Sequence, residues 1–227
     1  MDNIIVLATG NKNKLKEIQA LLKDTPVTVK TIKDFGPMPE AVEDGQTFDD
    51  NAYKKALHYS KMLGLPCLAD DSGLVVNALD GRPGVYSARY AGENASDWDN
   101  CEKLLQEMQG KEDRSAHFMC VLSLATPQGP ALTWEGRCDG EILTERRGEA
   151  GFGYDPVFFY KPFNKTFAEV SMEDKSGVSH RGKALAEFAA EISKVQVWLR
   201  QRMEEIKPPK PDHSEFEHND WSEDKMC

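Results

Sequence analysis

Hydrophobic positions along the chain change period several times, and each change predicts an element. Asn3 to Ala8 (NIIVLA) is a β-branched run ending at Thr9-Gly10-Asn11, and apolar residues then recur at Leu15, Ile18, Leu21 and Leu22. The chain should therefore open as strand, polar loop and helix. Val27 to Ile32 alternates as a second strand would, and Gly36, Pro37 and Pro39 break regular structure after it. Thr47 is placed to cap a helix running to Leu63, with Asp50 three residues on and a stripe of Phe48, Ala52, Ala56 and Tyr59. Gly64 and Pro66 end that helix.

Cys67 to Ala69 and Leu74 to Val76 are apolar, and Asp70-Asp71-Ser72-Gly73 lies between them as a strand interrupted by an acidic turn. Residues 81–94 carry too much Gly and Pro for a regular element, whereas Asp97 to Gln109 has helical spacing at Leu104, Leu105 and Met108. Ala116 to Ala125 and Ala131 to Arg137 form a hairpin pattern across Pro127-Gln128-Gly129-Pro130. A loop from Gly148 to Tyr154 leads into a strand at Pro156 to Tyr160. Leu185, Phe188, Ile192, Val195 and Leu199 then describe one long amphipathic helix from Ser179 to Ile206. Strands mixed with βα units predict a mixed α/β sheet with helices packed on it.

Composition narrows the function. With 28 Lys+Arg against 38 Asp+Glu the net charge is −10, which argues against a general nucleic-acid or anionic-membrane binder. Phosphates could still be held where a few cations, backbone N–H groups or a metal gather. No apolar run approaches the roughly 20 residues of a membrane helix, and the start MDNIIVLATG has no basic leader region, so an unexported, cytoplasmic protein is expected. Five cysteines without a CxxC pair read as reduced thiols. Residues 207–227, with three prolines among six acids and three lysines, read as a disordered acidic tail outside a domain at 1–206.

Five segments could carry chemistry. Thr9-Gly10-Asn11-Lys12-Asn13-Lys14 falls where a strand meets a helix N-terminus, which suits an anion; a plain polar loop with two solvated lysines fits the same residues. Asp70 and Asp71 are costly to bury as neighbours unless a cation neutralises them, so the pair invites Mg²⁺, against an Asx turn in solvent. Glu43 and Asp44 form a second acidic pair. Phe152-Gly153-Tyr154-Asp155 offers rings to stack on a base and a carboxylate for its ring N–H, or else rings folded onto the core. Lys175, His180 and Arg181 are donors beside the Ser179 cap, and basic residues there oppose the helix dipole unless they bind something.

Taken together and in order, Thr9-Gly10-Asn11 with Lys14, Glu43 to Ala52, Asp70 to Leu74, Pro83 to Gly92, Phe152 to Pro156 and Ser179-His180-Arg181 resemble the non-canonical purine nucleoside triphosphate pyrophosphatases, the inosine/xanthosine triphosphate pyrophosphatases. The resemblance spans residues 4–199 and implies an elongated mixed α/β fold with two lobes around a deep cleft, and a homodimer. It implies Mg²⁺-dependent hydrolysis of ITP, dITP and XTP to monophosphate and pyrophosphate. By position it implies that Thr9, Gly10, Asn11, Lys12, Asn13 and Lys14 hold the triphosphate and that Glu43 and Asp71 hold Mg²⁺. Asp71 would be the proton acceptor for the attacking water, Lys14 would stabilise the leaving pyrophosphate, and Asp70 would support the metal. Ser72, Phe152, Gly153, Tyr154, Asp155, Lys175, His180 and Arg181 would contact the nucleotide. Asp50 stands where many relatives carry Glu. A nucleotide sensor without catalysis and a broader house-cleaning pyrophosphatase are the competing expectations.

Overall fold

The computed structural model describes residues 4–10, 15, 16, 18, 19, 22, 23 and 25–204. Its centre is a seven-stranded mixed sheet in the order β2-β1-β3-β4-β5-β6-β7. The strands are β1 (Ile4–Leu7), β2 (Thr28–Thr31), β3 (Cys67–Val76), β4 (Ser115–Ala125), β5 (Ala131–Ile142), β6 (Phe158–Tyr160) and β7 (Lys165–Thr166). β1 pairs in parallel with both β2 and β3, and every later pairing is antiparallel. Parallel neighbours need a crossover, and helices supply it: Leu15, Ile18 and Leu22 are helical between β1 and β2, and α1 (Phe48–Leu63) lies between β2 and β3. A mixed α/β sheet is thus the fold that the sequence patterns predicted.

Both faces of the sheet are covered at the β1–β3 end. On one face Ile5, Leu7, Leu68, Leu122 and Leu124 pack with Ile18 and Leu22 and with Leu185, Phe188, Val195 and Leu199 of α4 (His180–Ala190) and α5 (Ile192–Glu204). On the other, Val6, Cys67 and Ala69 meet Ala56 and Tyr59 of α1. A further core joins Leu74, Val76, Phe118 and Phe158 to Cys101, Leu104 and Met108 around α2 (Asp97–Glu107). Among the described residues no helix is long and apolar enough to cross a membrane.

Three sequence expectations need correction. Asp70 to Gly73 is no turn: β3 runs unbroken from Cys67 to Val76, and each of these residues pairs with β4, Asp70 opposite Leu122 and Asp71 opposite Val121. Local turn propensity loses to a ten-residue ladder. A Cβ on Gly73 would overlap Ser87 Oγ and Gly84 O, so glycine is there for close approach. The long helix is two helices. Ser179 does cap the first, its Oγ accepting from Gly182 N at 3.0 Å, but the helix breaks at Glu191, whose carboxylate accepts from Trp134 Nε1 at 3.0 Å. The apolar stripe continues across the break into one core. Finally, several bounds shift. β2 stops at Thr31, where Asp34 receives the Thr31 N–H at 2.7 Å and a 3₁₀ turn follows; β5 extends to Ile142; β6 begins only at Phe158. Within 81–94 Gly84–Arg89 is a 3₁₀ helix, and α3 (Met172–Val178) was not foreseen.

Cys67, Cys101, Cys120 and Cys138 are buried. Burial pushes the thiols of Cys67 and Cys101 up to about 12 and that of Cys138 up to about 11. As thiolates are the reactive form, Cys67, Cys101 and Cys138 should resist a thiol-directed reagent near pH 8 in the native protein and react after denaturation. Rapid native labelling of any of them, located by peptide mass, would contradict the packing.

Candidate active site

The geometry follows from the two-residue period of β3. Successive side chains point to opposite faces, so Asp70 and Ser72 share the face of Leu68, while Asp71 and Gly73 share that of Cys67 and Ala69. Asp70 accordingly meets α4 and Asp71 meets α1. The expected acidic pair is therefore divided, and a single cation between two adjacent carboxylates is not what neutralises them.

On the α1 face, the Thr47 hydroxyl caps the helix by accepting from Asp50 N at 3.1 Å, which sets the phase of the first turns. Asn51 and Lys55, four residues apart, then project on one side. Asn51 Nδ2 donates to Asp71 Oδ2 at 3.1 Å and its Oδ1 accepts from Gly45 N at 2.7 Å. Lys55 Nζ reaches Glu43 Oε2 at 2.8 Å and donates to Asp70 O at 3.1 Å. Burial works against the Lys55 ammonium, but Asp70, Glu43 and Asp71 outweigh it and hold its pKa above the ordinary lysine value. Asp71 Oδ1 accepts from Ser72 N at 2.9 Å. Asp50, in contrast, is exposed on the first turn, and its side chain does not line the cavity described below.

On the α4 face, Arg181 is 2% exposed; its Nε lies 3.3 Å from Asp70 Oδ2 and its Nη2 donates to Ser72 Oγ at 3.0 Å. The His180 ring stacks on Phe118 at 4.7 Å between centroids and 12° between planes. Gly136 of β5 permits this approach, since a Cβ there would overlap the His180 carbonyl oxygen. A second buried ion pair joins Lys175 Nζ to Asp155 Oδ2 at 2.6 Å. Asp155 Oδ2 also accepts from Phe152 N at 2.9 Å, so this carboxylate organises its own loop. Gly151 has φ +80° and would bring any Cβ into the Asp155 carboxylate, which makes glycine the fitting residue. Phe152 is packed by cations, with Lys175 Nζ 4.5 Å and Arg181 Cζ 5.8 Å from its ring centroid. Tyr154 is folded onto the core, its hydroxyl donating to Ser87 O at 2.8 Å.

Both faces open onto one cavity of about 570 Å³. Of the residues singled out in the sequence, Thr9, Gly10, Glu43, Asp71, Ser72, Phe152, Gly153, Tyr154, Asp155, Lys175, His180 and Arg181 line it. Asn11, Lys12, Asn13 and Lys14 lie outside the described residues, as does the tail at 207–227. A volume of this size accommodates a small nucleotide. Sequence reasoning missed Asn51, Lys55, Phe118 and Asp97, which receives Gly153 N at 2.7 Å. The spacing of Asn51 and Lys55 on the Thr47-capped helix was the available signal.

Among the described residues no group of three or more His, Cys, Asp or Glu side chains forms a complete metal cage. Glu43 and Asp71 nevertheless bring hard carboxylate oxygens to one cavity. That donor set fits Mg²⁺, which takes one or two carboxylates and completes its shell with water and substrate phosphates.

The Ham1 family model matches residues 5–191. A dITP/XTP pyrophosphatase of Desulfotalea psychrophila is 65% identical over 219 residues, covering 96% of this chain and 98% of the relative. A dITP/XTP pyrophosphatase of Syntrophobacter fumaroxidans is 59% identical over 199 residues, 88% and 86% of the two chains. Among solved structures, a HAM1 protein from Coxiella burnetii superposes with a TM-score of 0.81 at 42% identity, covering 86% of this chain and all of that one (100%).

The two aspartates should separate in a stability assay. Asp70→Asn removes the charge of the carboxylate that faces the buried Arg181 guanidinium and should cost about 3–5 kcal/mol in urea unfolding. Asp71→Asn, at a half-buried position, should cost about 1 kcal/mol. Equal losses would contradict their placement on opposite faces.

Proposed function

The chain belongs to the Ham1 family, and on that premise we propose that it hydrolyses non-canonical purine nucleoside triphosphates, ITP, dITP and XTP, to the monophosphate and pyrophosphate. The observation that carries this is one cavity shared by Thr9 and Gly10 at the end of β1, the Asp71–Lys55 cluster and the Phe152–Arg181 cluster. The first two suit phosphates and an attacking water; the last suits a flat base with carbonyl oxygens.

Thr9 and Gly10 offer polar groups and close backbone approach to the triphosphate, and in this reading the Lys14 ammonium stabilises the leaving pyrophosphate. Lys55, charged and fixed by Glu43, sets positive potential beside the phosphates. Asp71 accepts the proton of the attacking water, oriented by the amide of Asn51. Mg²⁺, held by Glu43 and Asp71, would draw charge from the phosphate oxygens when bound. No covalent intermediate is required. A homodimer and a cytoplasmic location complete this reading.

Base choice follows from donors. Arg181, held by Asp70, and Lys175, held by Asp155, are cations with no acceptor to offer. A keto oxygen at C6 satisfies a donor of this kind, whereas the adenine amino group sets donor against donor. An unsatisfied buried group costs about 1–3 kcal/mol, so ATP should be turned over roughly tenfold to a hundredfold more slowly.

A pyrophosphate-release panel over ITP, dITP, XTP, GTP and ATP, with and without Mg²⁺, tests the proposal. Rapid Mg²⁺-dependent release from dITP and XTP, slow release from ATP, and a loss of about a hundredfold or more in Asp71→Asn are expected. Saturable dITP binding with no release at any Mg²⁺ concentration would make the protein a sensor. Comparable turnover of dUTP would make it a broader pyrophosphatase.

A further inference from the structure

We propose that Asn51 is a positioning residue that fixes the Asp71 carboxylate and the Glu43 loop as one unit for the divalent cation. Resting on the pyrophosphatase reading above, this assigns the coupling of the two acidic groups to a neutral amide.

Asn51 is 2% exposed, so its amide has to be satisfied inside the protein. Its two polar ends meet two different elements: Nδ2 donates to Asp71 Oδ2 on β3 at 3.1 Å, and Oδ1 accepts from Gly45 N at 2.7 Å. A carboxylate can only accept and a backbone N–H can only donate, so one orientation of the amide serves both, and the side chain is fixed. Gly45 lies two residues beyond Glu43. A Cβ on Gly45 would stand 2.7 Å from Asn51 Oδ1 and 2.7 Å from Asp50 Cβ, so the loop can come this close only as glycine. Lys55, one turn along the same helix, grips Glu43 itself at 2.8 Å.

The segment Glu43-Asp44-Gly45 belongs to no regular element. Asn51 and Lys55 anchor it to the side of α1 that faces Asp71, and Lys54 Nζ, 2.7 Å from Asp44 Oδ1, adds an exposed tie to the same helix. An ion that needs both Glu43 and Asp71 needs their separation fixed beforehand. Aspartate in place of Asn51 could serve Gly45 but would oppose Asp71 with charge. Leucine would serve neither. Groups that hold a ligand's outer atoms in this manner typically govern metal affinity or activity about 10- to 100-fold.

The test uses the full chain carrying Asn51→Leu and, separately, Gly45→Ala, which presses on the same amide from the loop side. Two quantities are read: Mn²⁺ affinity in the presence of inorganic pyrophosphate, from the electron paramagnetic resonance signal of free Mn²⁺, and kcat and KM for dITP. Expected for Asn51→Leu are Mn²⁺ binding weakened about 10- to 100-fold and a similar fall in kcat, with KM changed less than about threefold. Gly45→Ala should move both in the same direction by less. A folded Asn51→Leu that binds Mn²⁺ as the unsubstituted chain does would overturn the proposal. Should Asn51→Leu fail to fold, unchanged Mn²⁺ binding in Gly45→Ala overturns it instead. If the unsubstituted chain releases no pyrophosphate from dITP, the functional reading fails, and the Mn²⁺ comparison still decides the role of Asn51.

Discussion

Two carboxylates adjacent in sequence cannot share a face of a β-strand, and the site is organised around that fact. Asp70 points toward α4, where it is 1% exposed and neutralised by Arg181; Asp71 points toward α1, where it stays half-buried at a cavity. The buried pair is not a source of net stability in itself, because desolvating both ions offsets most of their attraction. Its consequence is positional: Arg181 is held in place by a strand that carries the opposite function on its other side.

Packing makes this arrangement rigid. Leu68 below Asp70 sits in the core with α4 and α5, and Ala69 below Asp71 sits in the core with α1. A one-residue slip of β3 against β4 would exchange the faces, carry the apolar residues out of both cores and take Asp70 from Arg181. Close approach at Gly73 to Gly84 and Ser87 fixes the same register of β3, and Gly136 seats α4 against β5. The Phe152–Asp155 loop is tied down similarly, by Asp155 to Lys175 and by Tyr154 to Ser87. The site thus rests on the hydrophobic cores rather than on loops alone.

Much of this was legible in the sequence. The periods at Leu15 to Leu22, Phe48 to Leu63 and Leu185 to Leu199 marked helices because one face of each is buried, and Thr47 and Ser179 marked caps because their hydroxyls satisfy first-turn N–H groups. Local composition misled at Asp70 to Gly73, where turn-forming residues sit inside a ladder whose partner is some 50 residues away in the chain. At Asn51 and Lys55 the four-residue spacing put both on one helix side, but their significance depends on Glu43 and β3 being brought to that side by the fold. The break at Glu191 likewise depends on Trp134 of a distant strand.

The most direct measurement is a crystal structure of the chain with Mg²⁺ and an imido analogue of dITP whose scissile bridge resists hydrolysis. The hypoxanthine ring should lie beside Phe152 with its C6 oxygen toward Arg181 or Lys175, and the phosphates and ion between Glu43, Lys55 and Asp71. Phosphates bound against Arg181, or a base seated at Lys55, would contradict it.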